Sequence, residues 1–303
     1  MTTSSLALQD AIIELPHSNW ANTYSHDVDV VSALEQGKVI FLPNLAFKLN
    51  SKEKEMLSPS LIDPKRKNIS YQPELNKLSG VIRSSENDLH AATILAMMDR
   101  HYNSCLKLVA NLLPEYRDSV HSPTSSLRLH PISEWKAGNS WRKDDTRLHV
   151  DAFPSRPNYG NRILRIFTNI NPNGHSRVWR VGEPFPDIAN HFVARCKPYS
   201  PFVSWLQNTV GITKTKRSHY DHIMLELHDA MKADMEYQAN GRQAEIAFPT
   251  GSSWICFADQ TPHAAMSGQF MMEQTFFLPI HAMKTPQHAP LKVLERLMQR
   301  PLI

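Results

Sequence analysis

"TRLHVDAFPSRPNYGNRILRIFTNINP", Thr146 to Pro172, decides how the chain is read. It opens on an extended "TRLHV", passes through a proline-bearing loop and resumes as a β-like run that carries arginines. On an extended chain residues i and i+2 share a face, so His149 and Asp151 can reach the same ion. A second His-x-Asp, His219-Tyr220-Asp221, lies in "SHYDHIMLELHDAMKAD", where Ile223, Met224, Leu227 and Met231 recur at helical spacing. On a helix, i and i+2 point about 200° apart and grip one ion poorly. That pair, with His228, is expected on a solvated helix face.

Working outward, the texture from about Ser126 onward is β-like. "SLRLHPI", "NRILRIFTNI", "RVWRVG", "AEIAFPT", "SSWICFAD" and "EQTFFLPI" are short runs separated by Pro, Gly, Asn and Asp. Such spacing indicates a sandwich or barrel. "DIANHFVARCKPYSPFVSWLQNTVG" and "HYDHIMLELHDAMKADMEYQ" read as helices inserted between strands. Upstream, Ser85 to Tyr116 is the clearest helix, with Leu89, Ala92, Leu95, Met98, Tyr102, Leu106, Val109 and Leu113 recurring at three and four. Asn87 or Asp88 can cap its start and Pro114 helps to end it. A short helix and a strand at Val39 to Leu42 precede it, and "APLKVLERLMQRPLI" closes the chain as an amphipathic helix with Leu291, Val293, Leu294 and Leu297 near one side. The expectation is a mainly β protein with flanking helices, a single domain over 1–303. It divides into an N-terminal α/β part at 1–125, a β core at 126–281 with a helical insertion at about 186–240, and a C-terminal helix at 282–303. That last helix is expected to pack on the domain rather than rest on a lipid leaflet.

A chain of 303 residues, 41% hydrophobic, can bury a sizeable core. With 10 glycines against 21 prolines it is not a flexible linker protein. Cys105, Cys196 and Cys256 are odd in number and far apart, which argues against a disulfide framework or a thiolate zinc site. The N-terminus lacks the pattern of a signal peptide, and no apolar run reaches the roughly 18 residues of a membrane span. A cytoplasmic protein is expected. The formal charge of +4 suits anionic ligands or membrane surfaces. The basic clusters "PKRKN" and "KTKRSH" are short and far apart, so nucleic acid is not an expected partner.

A metal at His149 and Asp151 needs a third ligand. His263 follows a β-like run and the turn residues "DQTP", and completes a set of two histidines and one carboxylate. Such a set holds Fe(II) on one face and leaves positions open for cosubstrate and oxygen, whereas catalytic zinc favours three histidines or two with a glutamate. A 2-oxoglutarate-dependent oxygenase also needs a cation for the distal carboxylate of its cosubstrate. The first cation after His263 is Lys284, too far for the common arrangement, but "NRILRIFTN" supplies Arg162 and Arg165. These point to opposite faces of a strand. Arg165 shares its face with Ile163, Phe167 and Asn169 and is favoured; Arg162 and Thr168, on the other face, remain candidates.

With these residues in place, "LHVDAFPSRPNYGNRILRIFTNINP", "SRVWRVGEPF" and "PTGSSWICFADQTPHAAMSGQF" resemble the Kdo hydroxylase family. The resemblance is firmest from about Ser126 to Pro279. It implies a double-stranded β-helix of the jelly-roll, cupin-like kind, with Fe(II) held by His149, Asp151 and His263. The cosubstrates it implies are 2-oxoglutarate and O2, with ascorbate as an auxiliary reductant. The implied reaction is hydroxylation at C3 of Kdo in Kdo-lipid A, the lipopolysaccharide inner core, to give Ko with succinate and CO2. Arg128, Arg142, Arg147, Arg177 and Arg180 are then candidates to bind anions of the sugar and lipid. A peripheral encounter with the cytoplasmic face of the inner membrane follows from that substrate. The rivals are an iron oxygenase for another acidic small molecule or protein side chain, and a non-catalytic jelly-roll module that binds sugar or lipid.

Overall fold

The computed structural model describes residues 10–22, 27–82, 88–135 and 140–303. Its strands are β1 (Ile12–Glu14), β2 (Val39–Leu42), β3 (Ile69–Gln72), β4 (Lys77–Ser79), β5 (His121–Arg128) and β6 (Arg162–Asn169). They continue with β7 (Arg177–Gly182), β8 (Gln243–Phe248), β9 (Ser253–Phe257), β10 (His263–Ser267) and β11 (Met271–Leu278). The longer helices are α1 (Asp88–Leu112), α2 (Phe185–Phe192), α3 (Pro201–Thr209), α4 (His219–Ala233) and α5 (Pro290–Met298). Two sheets face each other: a major one in the order β1-β2-β9-β6-β11-β5-β3-β4 and a minor one in the order β10-β7-β8. This is the expected double-stranded β-helix.

β6 is buried along its whole length, which explains why "RILRIFTN" lacks the alternation of a half-solvated strand: both faces are covered. Leu164 and Ile166 pack outward beneath α1, with Leu108, Val109 and Leu112. Ile163 and Phe167 pack inward, between the sheets, with Trp179, Phe248 and Trp254. Phe248 and Trp254 stack with ring centroids 4.0 Å apart. Emptying such a position by Trp254→Ala would cost about 3–5 kcal/mol.

The helices inserted after β7 cover the outer face of the minor sheet. Phe185, Ile188 and Phe192 of α2 and Ile223, Met224 and Leu227 of α4 share one cluster with Leu148 and Val150. Leu291, Val293 and Leu294 of α5 belong to the same cluster, so the C-terminal helix spends its apolar face on the domain.

α1 differs in detail from its sequence pattern. Its inner face carries Ile94, Met98, His101, Cys105, Leu108 and Leu112, all buried, while Leu89 is 75% exposed. The helix is turned so that His101 reaches Thr168 Oγ1 at 3.2 Å across the sheet. A polar residue in the inner stripe is invisible to an apolar count. The expected cap at Asn87 or Asp88 lies outside the described side chains.

Asp221 also differs from expectation. It is buried, not solvated; it forms a capping box with Ser218 at the start of α4. Asp221 Oδ1 further accepts from the backbone N–H groups of Asn158, at 2.8 Å, and Tyr159, at 3.2 Å. The second His-x-Asp is therefore an anchor for the loop that follows Asp151.

Candidate metal centre

The chain before β6 runs beside β10 and extends the minor sheet. His149 and His263 form an antiparallel bridge, with His149 N–H donating to His263 O at 3.1 Å and the reverse bond at 2.9 Å. Asp151 N–H donates to Ala258 O at 2.8 Å. Alternation does the rest. Leu148 and Val150 point into the helical layer, and His149 and Asp151 point between the sheets. Gln238 clamps the segment from outside, accepting from Leu148 N–H at 2.7 Å and donating to its carbonyl at 3.0 Å.

One ligand atom from each of His149, Asp151 and His263 lies within 4.8 Å of the others. His149 Nδ1 is 2.7 Å from Arg147 O, and His263 Nδ1 is 2.9 Å from Thr261 O. A carbonyl only accepts, so each Nδ1 carries the proton and each Nε2 keeps its lone pair, the tautomer a metal ligand needs. Burial, the largest cause in both cases, holds both imidazoles below their ordinary pKa and therefore neutral. Trp179 stacks on His263 with ring centroids 5.0 Å apart and fixes its plane. Asp151 Oδ2 is buried and, among the described residues, accepts no aligned hydrogen bond; its contact with Arg165 is an ion pair only. The donor set suits a divalent first-row ion such as Fe(II).

A cavity of about 130 Å³ opens on these ligands, lined also by Arg128, Arg165, Arg177 and Trp179. Arg165 Nη1 pairs with Glu273 at 2.8 Å, and its Nε lies 3.1 Å from Asp151 Oδ2. Arg128 pairs with Glu273 at 2.7 Å and with Asp145 at 3.4 Å; Asp145 also holds Lys67. Arg177 differs from both. It is buried, its Nη1 donates to Gly268 O at 3.3 Å, and among the described residues it pairs with no carboxylate and its Nε makes no hydrogen bond. Burial first, and Arg128 second, pull its pKa down to about 10. Trp179 Nε1, two residues along the same strand face, is likewise buried without an acceptor. Gly268 has φ +115° and permits this packing, since a Cβ there would lie 2.8 Å from Arg177 Cδ.

A second cavity of about 300 Å³ shares Arg128 and Arg165 with the first and is walled by Phe153, Pro154, Ser155 and Arg156 of the loop after Asp151.

The other expected residues lie elsewhere. Arg162 is on the far face of β6, where its Nε donates to Asp259 Oδ2 at 2.7 Å and its guanidinium covers the Phe257 ring. Thr168 shares that face and meets His101 and Ser253. Neither lines the metal cavity, because strand alternation turns both to the other face of the sheet, Thr168 against His101 of α1 and Arg162 against Asp259 and Gln260. Asn169 is on the inner face, but its amide is bonded to the His175 and Phe248 carbonyls. Arg142 pairs with Asp229, Arg147 with Asp144 and the Lys232 carbonyl, and Arg180 with the Thr146 and Gln238 carbonyls. None of those three lines either cavity. Sequence reasoning missed Glu273, Asp145, Trp179 and Arg156. Glu273, a lone acid inside the apolar run "FMMEQTFFL", was the one detectable signal.

Residues 17–301 match the family described as 3-deoxy-D-manno-oct-2-ulosonic acid (Kdo) hydroxylase. Among solved structures, the Kdo hydroxylase KdoO, a non-heme Fe(II) α-ketoglutarate-dependent dioxygenase, in complex with cobalt(II) is similar with a TM-score of 0.91. That chain is 43% identical, over 97% of each chain. Its complex with α-ketoglutarate and Fe(III) gives a TM-score of 0.90 at 42% identity, over 96% of this chain and 97% of that one. The apo form gives 0.91 at 43%, over 96% and 97%. A search of curated proteins found no match.

Proposed function

The chain belongs to the Kdo hydroxylase family, and on that footing we propose that it hydroxylates C3 of Kdo carried on lipid A, giving Ko. It is an Fe(II)/2-oxoglutarate-dependent dioxygenase. When bound, Fe(II) with 2-oxoglutarate and O2 supplies an oxidant able to turn an unactivated methylene C–H into C–OH, with succinate and CO2 as coproducts.

The residues divide the remaining work. His149 and His263 offer Nε2 because their Nδ1 protons are committed to Arg147 and Thr261. Asp151 offers the carboxylate, and the charge of Arg165, in ion-pair contact with Oδ2, favours one orientation of it. Arg177 and Trp179 take the distal carboxylate of 2-oxoglutarate. What supports that assignment is one observation: Arg177 is the cavity's guanidinium with no carboxylate partner among the described residues, and its Nε and the neighbouring Trp179 Nε1 are buried donors left over. A buried guanidinium is costly without an anion, and a carboxylate is the acceptor that fits its planar fork. Arg165 and Arg128, already paired with acids, set the cavity's potential instead of anchoring the cosubstrate directly. The neighbouring cavity takes the anionic sugar, with exposed Arg156 at its rim facing the Kdo carboxylate. The inner face of the major sheet and Trp179 keep bulk water from the reacting methylene.

Anaerobic addition of Fe(II) and 2-oxoglutarate tests the site. A visible charge-transfer band is expected in the wild type and absent in His149→Ala and His263→Ala. Aerobic turnover should then add one oxygen atom to Kdo-lipid A by mass spectrometry. A folded wild type with no band, or unmodified lipid beside 2-oxoglutarate consumption, would refute the metal or the substrate assignment respectively.

A further inference from the structure

α3 is built inside out. Ser204 is buried and donates to Arg217 O at 2.7 Å, and Asn208, four residues on, donates to Thr213 O at 3.2 Å. The polar side of the helix thus faces the protein. The opposite side presents Phe202, 68% exposed, Trp205, 52% exposed, Val203 and Leu206 to solvent. The turn after the helix adds Val210 and Ile212, also exposed. Scattered apolar residues need no explanation, but a contiguous patch on one short segment does.

Exposed Lys214 and Lys216 follow directly, with Arg217 beside them. Aromatic and aliphatic side chains edged by cations make the composition of a helix lying in the plane of a membrane interface. The segment is also tied to the catalytic pocket. Lys214 N–H donates to Ser155 O at 2.9 Å, and Arg217 Nη2 donates to Pro154 O at 2.6 Å. Pro154 and Ser155 wall the cavity assigned to the sugar.

We propose that α3 and the turn to Arg217 form a membrane-docking surface, which seats Phe202 and Trp205 among anionic lipids and presents the neighbouring pocket to a sugar on a lipid anchor. This rests on the reading of a lipid-borne substrate. Charge selects the occupant: two lysines on the rim repel their copies in a second chain of this protein and attract a negatively charged bilayer.

The test is flotation of the full-length protein with phosphatidylcholine vesicles, with and without phosphatidylglycerol. Wild type should float with the anionic vesicles and lose binding at high salt. Phe202→Ser/Trp205→Ser should lower the bound fraction about tenfold or more. Lys214→Glu/Lys216→Glu should abolish the preference for phosphatidylglycerol. The first variant should hydroxylate detergent-dispersed Kdo-lipid A at the wild-type rate but vesicle-embedded Kdo-lipid A far more slowly. Wild type that fails to float, or an apolar variant that floats equally well, overturns the proposal. So does light scattering that shows a wild-type dimer and a monomeric Phe202→Ser/Trp205→Ser, since the patch would then be a self-association surface. Vesicle binding without hydroxylation of either lipid form would leave the docking surface standing and remove the substrate reading.

Discussion

Arg165 Nε sits 3.1 Å from Asp151 Oδ2, in ion-pair contact with the carboxylate proposed to ligate the metal, while His149 Nε2 is 3.7 Å from the other oxygen, Oδ1. On the proposed reading, the arginine decides which oxygen Asp151 offers. Arg165→Gln should weaken Fe(II) affinity by about 10- to 100-fold, the usual effect of losing an outer partner of a ligand. Arg162→Ala should instead leave metal affinity intact and cost stability, about 3–5 kcal/mol, because it strands Asp259 as a buried charge. Iron titration beside thermal unfolding separates the two. Equal effects on iron would undo the face assignment.

Arg177→Leu should do the reverse of Arg162→Ala. Removing a buried cation without a carboxylate partner should leave the melting temperature unchanged or raised. Loss of a hydrogen bond to a charged group, about 1.5–3 kcal/mol, should raise the KM for 2-oxoglutarate by roughly 10- to 100-fold. A variant with unaltered KM would move the cosubstrate anchor elsewhere in the cavity.

Asp221→Ala removes a helix cap and the acceptor for two loop N–H groups at once. The cap alone is worth about 1 kcal/mol. Beyond that loss, the loop from Asp151 to Gly160 should become more susceptible to proteolysis, and Kdo-lipid A turnover should fall more than 2-oxoglutarate binding. Asp221→Asn, which keeps an acceptor oxygen, should recover most of both.

Acid should destabilise the fold partly through His101. Burial, aided by Arg100, lowers its folded pKa to about 3, against roughly 6.5 in the unfolded chain. The unfolded state takes up the proton first. The stabilisation is therefore complete above pH of about 6.5 and lost as pH falls toward 3, at up to about 1.4 kcal/mol per unit. His149 and His263 shift in the same direction. His101→Gln should accordingly reduce, not abolish, the slope of unfolding free energy against pH; an unchanged slope would mean His101 is charged in the native state.

The convergence of His149 and Asp151 on one cavity is legible because an extended chain makes i and i+2 cofacial and a helix does not, a contrast the two His-x-Asp pairs display side by side. Strand parity likewise separates Arg165 from Arg162. Parity could not reveal partners. Glu273 meets Arg128 and Arg165 only because β11 lies between β5 and β6, and adjacency of strands far apart in sequence is not written in any one of them. Arg177 was grouped with the other arginines for the same reason. What distinguishes it is a missing neighbour, which a sequence cannot display. Asp221 was misjudged because its role depends on a loop more than sixty positions away being folded over it.

β7 and β8 pair antiparallel as nearest neighbours, Arg177 with Phe248 through Gly182 with Gln243, yet roughly sixty residues loop out between them, and each doubling of such a loop costs only about 0.6 kcal/mol of closure entropy. α2, α3 and α4 all ride on this excursion, while the three proposed metal ligands and Arg165 lie outside it. The insertion is thus a graft at the end of an ordinary hairpin. Only part of it is free of the cavity: Gln238 clamps Leu148, and Asp221 anchors the loop after Asp151, so the later half of the excursion is tied to the segment that carries His149 and Asp151. α3, by contrast, meets that segment only through its following turn, so its outer apolar side can be resurfaced while the strands that build the cavity keep their register.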